Sequence, residues 1–95
     1  MVGKLILYEK KFWVYILLCK GDRFYTGSTN DLERRYKEHC TRKGGYFTRA
    51  FPPLKMVYSE EFNTRSEAMK REREIKRMSH NRKSSLGDMW LVKQS

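Results

Sequence analysis

Two charged side chains occupy positions where an amphipathic helix would turn its apolar face inward. Glu72 falls within the narrow arc that Ala68 and Ile75 define on one predicted helix. Arg35 and His39, four residues apart on an earlier helix, lie along its inward stripe and are neighbours on its surface. A carboxylate in such a position is costly unless it is paired, protonated or bound to a metal. One interpretation is a buried ion pair between Glu72 and Arg35 that serves only the fold, and the other is a reactive site.

Two tyrosines favour the reactive interpretation. Tyr15 and Tyr25 lie on two predicted strands that a turn at 20–23 joins into a hairpin. Because paired strands bring their side chains together, we expect both phenol hydroxyls to face one solvent-reachable cleft. A single tyrosine on a strand is more often part of the core than of an active site. Catalytic chemistry is therefore indicated only when the two tyrosines are considered together with Arg35 and Glu72.

The elements that would position these side chains alternate between strand and helix. A continuous apolar and aromatic run over 12–19 is typical of a buried strand. Asn30 with Glu33, and Thr64 with Glu67, have the spacing of a capping box at the start of a helix. The predicted elements are strands over 12–19, 24–28 and 54–62, helices over 31–40 and from 65 to about 78, a helical turn near 46–49 and a short helix over 79–86.

This order predicts an α+β fold, with a small, three-stranded, mostly antiparallel sheet flanked by helices. The order of the main elements is β-β-α-β-α, followed by a short C-terminal helix. Alternation along the second strand places Phe24 on one face of the sheet and Tyr25 on the other. The expected divisions are one domain over 1–95, a core at 12–86 and peripheral ends at 1–9 and 87–95.

The charge of the chain narrows the choice of partners. Among its 95 residues, 21 Lys and Arg stand against 11 Asp and Glu, which gives a net charge of +10 at pH 7. Such a charge on a small domain attracts polyanions, of which nucleic acid is the commonest. Aromatic residues interleave with the basic ones, as stacking surfaces in a nucleic-acid groove would. The residues predicted to bind nucleic acid are Arg34, Lys37, Arg42, Lys43, Arg49, Lys70, Arg71 and Lys76.

Hydropathy argues against a membrane-spanning protein, and the spacing of the cysteines argues against a structural zinc site. No apolar run approaches the roughly 20 residues of a membrane span, so no membrane partner is expected. Cys19 and Cys40 lack the CxxC spacing of a structural zinc site, and free thiols in a cytoplasmic protein are the plain interpretation. Composition alone leaves DNA and RNA undistinguished.

Several ordered motifs resemble those of the GIY-YIG nuclease superfamily. Trp13-Val14-Tyr15 is followed ten residues later by Tyr25-Thr26-Gly27, and the resemblance continues through the helix residues 32–39 and 67–76 to about residue 86. Within the superfamily the sequence looks most like the small, stand-alone bacterial proteins of uncharacterised function. Trp13 and Thr26 depart from the family pattern, and Ser28 stands where the excision-repair nuclease subunit has a lysine.

The resemblance implies a metal-dependent endonuclease that hydrolyses phosphodiester bonds in DNA, in repair or recombination of branched or damaged DNA. It leaves open which tyrosine orients or deprotonates the attacking water, with a slight preference for Tyr25. The residues it implicates are Tyr15, Tyr25, Arg35 and His39 in catalysis, Glu72 in binding a single Mg²⁺ or Mn²⁺ ion, and Gly27 in close approach of the backbone.

Two other functions are compatible with the same residues. A nucleic-acid-binding module could use the same basic cleft without cutting, and DNA binding without metal-dependent cleavage would favour it. An interaction protein could dock through Trp90 and Met89, and a lack of DNA binding at low salt would favour that instead. If the protein is a nuclease, its one small domain must supply the affinity and the choice of target itself or borrow them from a partner protein.

Overall fold

A buried strand lies at the centre of the sheet. The computed structural model describes residues 10–94. Strand β1 (Phe12–Cys19) pairs antiparallel with β2 (Arg23–Thr29) on one side and with β3 (Pro53–Phe62) on the other, so the strand order is β2-β1-β3. The predicted α+β class with an antiparallel sheet is confirmed, and β2 is an edge strand.

Both faces of β1 are covered, which explains why its sequence is apolar without interruption. Val14 and Ile16 pack on one face together with Ile75. Tyr15 and Leu17 pack on the opposite face. All five residues are at most 1% exposed, so the tyrosine of the first motif belongs to the core.

The hairpin places its aromatic residues as the alternation predicts. Phe24 packs on the face of Val14, whereas Tyr25 packs on the face of Tyr15. In the register of the two strands, Tyr15 lies opposite Gly27. The ring of Tyr15 therefore has a neighbour without a side chain on the edge strand.

Among residues 10–94, four helices cover the two faces of the sheet. Helices α1 (Leu32–Cys40) and α2 (Tyr46–Ala50) lie on the face of Tyr15, and α3 (Arg65–Lys76) and α4 (His80–Gln94) pack on the opposite face. In the part of the chain that the structure describes, no helix is long and apolar enough to cross a membrane.

The two predicted helix caps have different outcomes. Thr64 caps α3 as predicted, because its hydroxyl oxygen accepts a hydrogen bond from the backbone N–H of Glu67 at 3.2 Å. The prediction that Asn30 caps α1 is wrong, because the N-cap residue is Asp31. Asp31 holds the extended backbone of an N-cap residue and accepts from the backbone N–H of Arg34 at 3.0 Å. Asn30 instead accepts from the guanidinium of Arg34 at 3.2 Å.

The C-terminal helix is longer than predicted. It runs to Gln94 where the sequence predicted an end at Leu86. Leu86 and Trp90 both pack against the core, so burial of one face carries the helix through Gly87. The predicted peripheral end at 1–9 lies outside the described residues.

Candidate active site

A buried chain of hydrogen bonds links β1, α1 and α2. The hydroxyl oxygen of Tyr15 lies 2.8 Å from Nε2 of His39, and Nδ1 of His39 lies 2.7 Å from the hydroxyl oxygen of Thr48. None of the three residues is more than 1% exposed. Each polar group in the chain therefore depends on its neighbour rather than on water.

His39 is held neutral by its surroundings. Burial lowers the pKa of His39 from 6.5 to about 4, and the positive charge of Arg35 acts in the same direction. A neutral imidazole donates through one ring nitrogen and accepts through the other. His39 can therefore order the hydroxyls on its two sides, and its basicity is too low for proton uptake near pH 7.

Tyr15 is held as a neutral phenol. Burial raises its pKa above the usual value of 10, the neighbouring Tyr25 raises it further, and Arg35 opposes both effects. The sequence placed the Tyr15 hydroxyl on a solvent-reachable cleft, whereas in the structure it turns toward His39 and the residue is 1% exposed. The physical reason is that β1 is the central strand and α1 and α2 close over it.

Tyr25 completes an aromatic group around the imidazole. Its ring centroid lies 4.9 Å from that of His39, 6.2 Å from that of Tyr15 and 5.6 Å from that of Phe47. Tyr25 is half-buried because it stands on the edge strand. The phenol that reaches solvent is therefore the one on β2.

Gly27 makes room for this group. A Cβ atom at this position would lie 2.6 Å from the hydroxyl oxygen of Tyr15 and 3.1 Å from Cε2 of Tyr25. Both distances are shorter than van der Waals contact, so no larger residue fits without moving a tyrosine. The close approach that was predicted for Gly27 is thus an approach to two tyrosine rings.

Arg35 is oriented by two fixed partners. Its Nη1 donates to Oε1 of Glu38 at 3.0 Å, and its Nη2 donates to the carbonyl oxygen of Gly44 at 2.9 Å. The interpretation of a fold-only ion pair between Arg35 and Glu72 is therefore wrong, because each side chain pairs with a neighbour on its own helix. A guanidinium has five N–H donors, so three remain for another ligand.

Glu72 is a half-buried carboxylate at the edge of the sheet. The hydroxyl of Ser28 donates to Oε1 at 2.6 Å, and the ammonium of Lys76 lies 2.8 Å from Oε2. The Glu72 side chain is 19% exposed, against 56% for Lys76. The ammonium of Lys76 is the exposed partner of this pair and is held by a flexible side chain, so another cation could take its place beside the carboxylate.

Glu72 fits a magnesium site of the kind that uses few protein ligands. Mg²⁺ commonly binds one or two carboxylates and keeps waters or phosphate oxygens as its other ligands. Within residues 10–94 there is no group of three or more His, Cys, Asp or Glu side chains that could hold a metal. A metal at Glu72 would therefore depend on substrate and water for most of its ligands.

A cleft of about 490 Å³ runs along the edge strand between α1 and α3, and we call it the edge cleft. Three guanidinium groups and one carboxylate are among the groups that line it, so its charge suits an anion. Ser28, which donates a hydrogen bond to Glu72, is among the residues that line the cleft, as is Arg35, whereas Glu72 itself is not among them. The lining residues of the edge cleft are Phe12, Ser28, Thr29, Asn30, Arg34, Arg35, Glu38, Arg65, Ala68 and Met69.

The predicted nucleic-acid residues fall into four places. Arg34 lines the edge cleft, and Lys76 is at Glu72. Arg71 lies on another surface, where its Nε donates to Oε1 of Glu60 at 3.0 Å, and Lys70 borders the same groove. The remaining four are exposed on the side of α1 and α2: Lys37, Arg42, Lys43 and Arg49.

Three residues of the site carry no signal in the sequence as site residues. Arg65 lines the edge cleft although it opens a helix in an ordinary basic run. Thr48 reaches His39 only because the loop before α2 folds back over α1. Ser28 meets Glu72 across 44 residues of chain, a contact that no local pattern reveals.

The family is decided by comparison with known proteins. The family model described as the GIY-YIG catalytic domain matches residues 11–84, which is most of the chain. The chain belongs to the GIY-YIG family. This confirms the resemblance that the tyrosine motifs indicated, and nuclease activity is the chemistry that a GIY-YIG catalytic domain suggests.

The relatives of this GIY-YIG protein are similarly small. The UPF0213 protein H16_B0156 of Cupriavidus necator is 43% identical over 75 residues, which cover 79% of this chain and 82% of the relative. The solution structure of protein EF2693 from E. faecalis matches with a TM-score of 0.58 at 35% identity, covering 87% of this chain and 88% of that one.

A second solved structure is also similar to this protein over most of both chains. The UPF0213 protein BH0048 from Bacillus halodurans matches with a TM-score of 0.53 at 39% identity, and the match covers 83% of this chain and 84% of that one. The names of these three relatives state no activity.

Proposed function

We propose that this GIY-YIG protein is a metal-dependent endonuclease that hydrolyses phosphodiester bonds in DNA. The observation that carries the proposal is the edge cleft, whose lining includes both Arg35 and Ser28, the hydrogen-bond partner of Glu72. Phosphodiester hydrolysis needs a group that neutralises the phosphate, a group that holds a metal and a group that orders water. Arg35 lines the cleft, Glu72 is connected to it through the hydrogen bond from Ser28, and Tyr25 stands on the same strand as Ser28.

Arg35 is the residue that would bind the phosphate. Glu38 and Gly44 hold its side chain in place before any substrate arrives, so little reorganisation is needed. The donors that these partners leave free can form a forked contact with two phosphate oxygens. Arg34 and Arg65 line the same cleft and extend the positive surface along the backbone of a nucleic acid.

Glu72 is the residue that would hold a single Mg²⁺ or Mn²⁺ ion, in exchange for Lys76. A bound ion would neutralise charge on a phosphate oxygen and on the leaving 3′-oxygen. Ser28 donates to Oε1 of Glu72 at 2.6 Å and so fixes the orientation of the carboxylate. Lys76, once released, adds a positive charge beside the substrate.

The two tyrosines would have different tasks. Tyr15 stays a neutral phenol because burial raises its pKa, so it cannot take a proton from water as a phenolate. Tyr25 is half-buried on the edge strand and is the better candidate for orienting the attacking water. His39 is 0% exposed and acts only through Tyr15.

The biological setting follows from charge and family rather than from the site. A net charge of +10 favours nucleic acid as the partner. We propose branched or damaged DNA in repair or recombination as the substrate, and a partner protein that supplies the choice of target.

A second candidate function is DNA binding without cleavage. The observation that favours it is that the Tyr15 hydroxyl and two donors of Arg35 are already satisfied within the protein. A non-catalytic module would use the edge cleft in the same way to hold the phosphate backbone.

The test is nicking of supercoiled plasmid and cleavage of a branched oligonucleotide, with Mg²⁺ or Mn²⁺ and with EDTA. We expect the parent protein to cut only with metal, and Glu72→Gln and Arg35→Ala to lose about 100-fold or more. Glu74→Gln and Arg73→Ala are matched controls on exposed positions of α3 and should cut like the parent. Equal activity in all five proteins would indicate a contaminant, and salt-sensitive binding without cutting would support the second candidate.

A further inference from the structure

Thr48 closes the buried hydrogen-bond chain from a helix that contributes nothing else to it. The segment before Thr48 also encloses the imidazole, since a Cβ atom on Gly44 would overlap Nδ1 of His39. Arg35 holds this segment in place through the carbonyl oxygen of Gly44 at 2.9 Å. Thr48 is therefore fixed against one side of His39 while Tyr15 is fixed against the other.

The positions of the hydrogens in this chain follow from what each group can donate. The positive charge of Arg35 acts to lower the pKa of the Tyr15 phenol, so the lone pairs of the phenol oxygen are drawn toward the guanidinium. The hydrogen of the Tyr15 hydroxyl then points away from Arg35, and His39 Nε2, which lies 2.8 Å from the hydroxyl oxygen, can accept it. In neutral His39 the hydrogen must then be on Nδ1, which points at the Thr48 oxygen at 2.7 Å.

We propose that Thr48 is a positioning residue that accepts a hydrogen bond from Nδ1–H of His39 and so selects the tautomer whose Nε2 accepts the Tyr15 hydroxyl hydrogen. In this tautomer the Tyr15 lone pairs face Arg35. The assignment of the tautomer stands on these two contacts and on the positive charge of Arg35 beside Tyr15, and only its consequence for rate rests on the proposed nuclease function.

Removing the Thr48 hydroxyl would reverse the direction of the hydrogen bond between Tyr15 and His39. In Thr48→Val, which keeps the shape of the side chain, an Nδ1–H would be buried without an acceptor. The imidazole would then move its hydrogen to Nε2 and donate to the Tyr15 oxygen, which would turn the Tyr15 hydrogen away from His39. Thr48→Ser keeps a hydroxyl at the same position and should keep the tautomer of His39 found in the parent protein.

The experiment is nitrogen NMR of protein labelled with ¹⁵N-histidine at pH 7. The chain has two histidines, so exposed His80 provides an internal reference for buried His39. We expect His39 to be protonated on Nδ1 in the parent and in Thr48→Ser, and mostly on Nε2 in Thr48→Val, with the His80 signals unchanged.

Two results would overturn the assignment. One is a parent protein in which His39 carries its hydrogen on Nε2, which needs no variant to fold. The other is a folded Thr48→Val, judged by its amide spectrum, whose His39 keeps the parent tautomer.

Cleavage kinetics then separate this inference from the proposed function. We expect Thr48→Val to lower kcat by about 10-fold or more with KM little changed, and Thr48→Ser to restore it. Parent-like kcat in Thr48→Val would remove the role in catalysis. A parent that does not cut DNA would contradict the proposed function, while the tautomer measurement would still decide the assignment.

Discussion

The hydroxyl oxygen of Tyr15 lies 2.8 Å from Nε2 of His39, and 24 residues of chain separate the two. The contact ties the central strand to α1 inside the core. A core position fixes both rings more firmly than a surface position would, because packing leaves each ring one orientation. The tyrosine of the first motif thus supports the site from within the core, and the charged residues that line the cleft are on α1 and α3.

Removal of the Tyr15 hydroxyl should destabilise the fold. Tyr15→Phe leaves His39 Nε2 buried without its partner, and an unsatisfied buried group costs about 1–3 kcal/mol. Urea denaturation measures the free energy of unfolding. Tyr46→Phe is the matched control, because Tyr46 is 82% exposed, and its effect should stay within about 0.5 kcal/mol. Equal stability of both variants would show that the buried hydrogen bond is not needed.

The neutrality of His39 should make stability depend on pH. The pKa of His39 is about 4 in the folded protein and 6.5 in an exposed histidine, so between these values the unfolded chain binds the extra proton. Stability from this group is then complete above about pH 6.5 and is lost as the pH falls toward 4. The loss amounts to about 3 kcal/mol at most.

A pH series of denaturation curves tests this dependence. The fall in unfolding free energy between pH 7 and pH 4.5 should be smaller in His39→Gln than in the parent. His80→Gln should behave like the parent, since His80 is exposed. An identical fall in the parent and in His39→Gln would contradict a depressed pKa at His39.

Arg65 should contribute to DNA affinity through the edge cleft. Loss of one phosphate contact reduces the dependence of log affinity on log salt by about one unit. We expect that reduction for Arg65→Ala, because Arg65 lines the cleft. Arg71→Ala is the informative comparison, because its guanidinium is bound to Glu60 and Glu74. An equal change of salt dependence in both variants would show that the cleft is not the main contact surface.

Metal should bind at Glu72 whether or not DNA is cut. Mn²⁺ is paramagnetic, so its binding should broaden the amide signals of α3 near Glu72 and those of β2 near Ser28, which contacts that carboxylate. Glu72→Gln should abolish the broadening, and Glu74→Gln should leave it unchanged. Broadening that persists in Glu72→Gln would place the metal elsewhere.

The sequence predicts the features of this molecule that depend on local pattern. The apolar run of β1, the alternation of Phe24 and Tyr25, and the Thr64 cap are each set by neighbouring residues, and each is confirmed. The family motif likewise lies in short, ordered stretches. These features need no knowledge of long-range packing.

Other features depend on contacts between distant parts of the chain. The inward turn of Tyr15 follows from the closure of α1 and α2 over β1, and the length of α4 follows from burial of Trp90. The same alternation that groups Tyr15 with Tyr25 on one face gives no sign of which ring reaches solvent. Sequence reasoning also left open an ion pair between Glu72 and Arg35, because it had no way to weigh Glu38 and Lys76 as closer partners.

Metal-dependent cleavage at Glu72 is tested most directly by the single-turnover rate of DNA cleavage by the parent and by Glu72→Gln, at protein concentrations that saturate the DNA with each. We expect metal-dependent cleavage by the parent and a rate about 100-fold or more lower for Glu72→Gln, with DNA affinity little changed. Equal rates in the two proteins, or no cleavage by a parent that binds the same DNA, would contradict metal-dependent cleavage at Glu72.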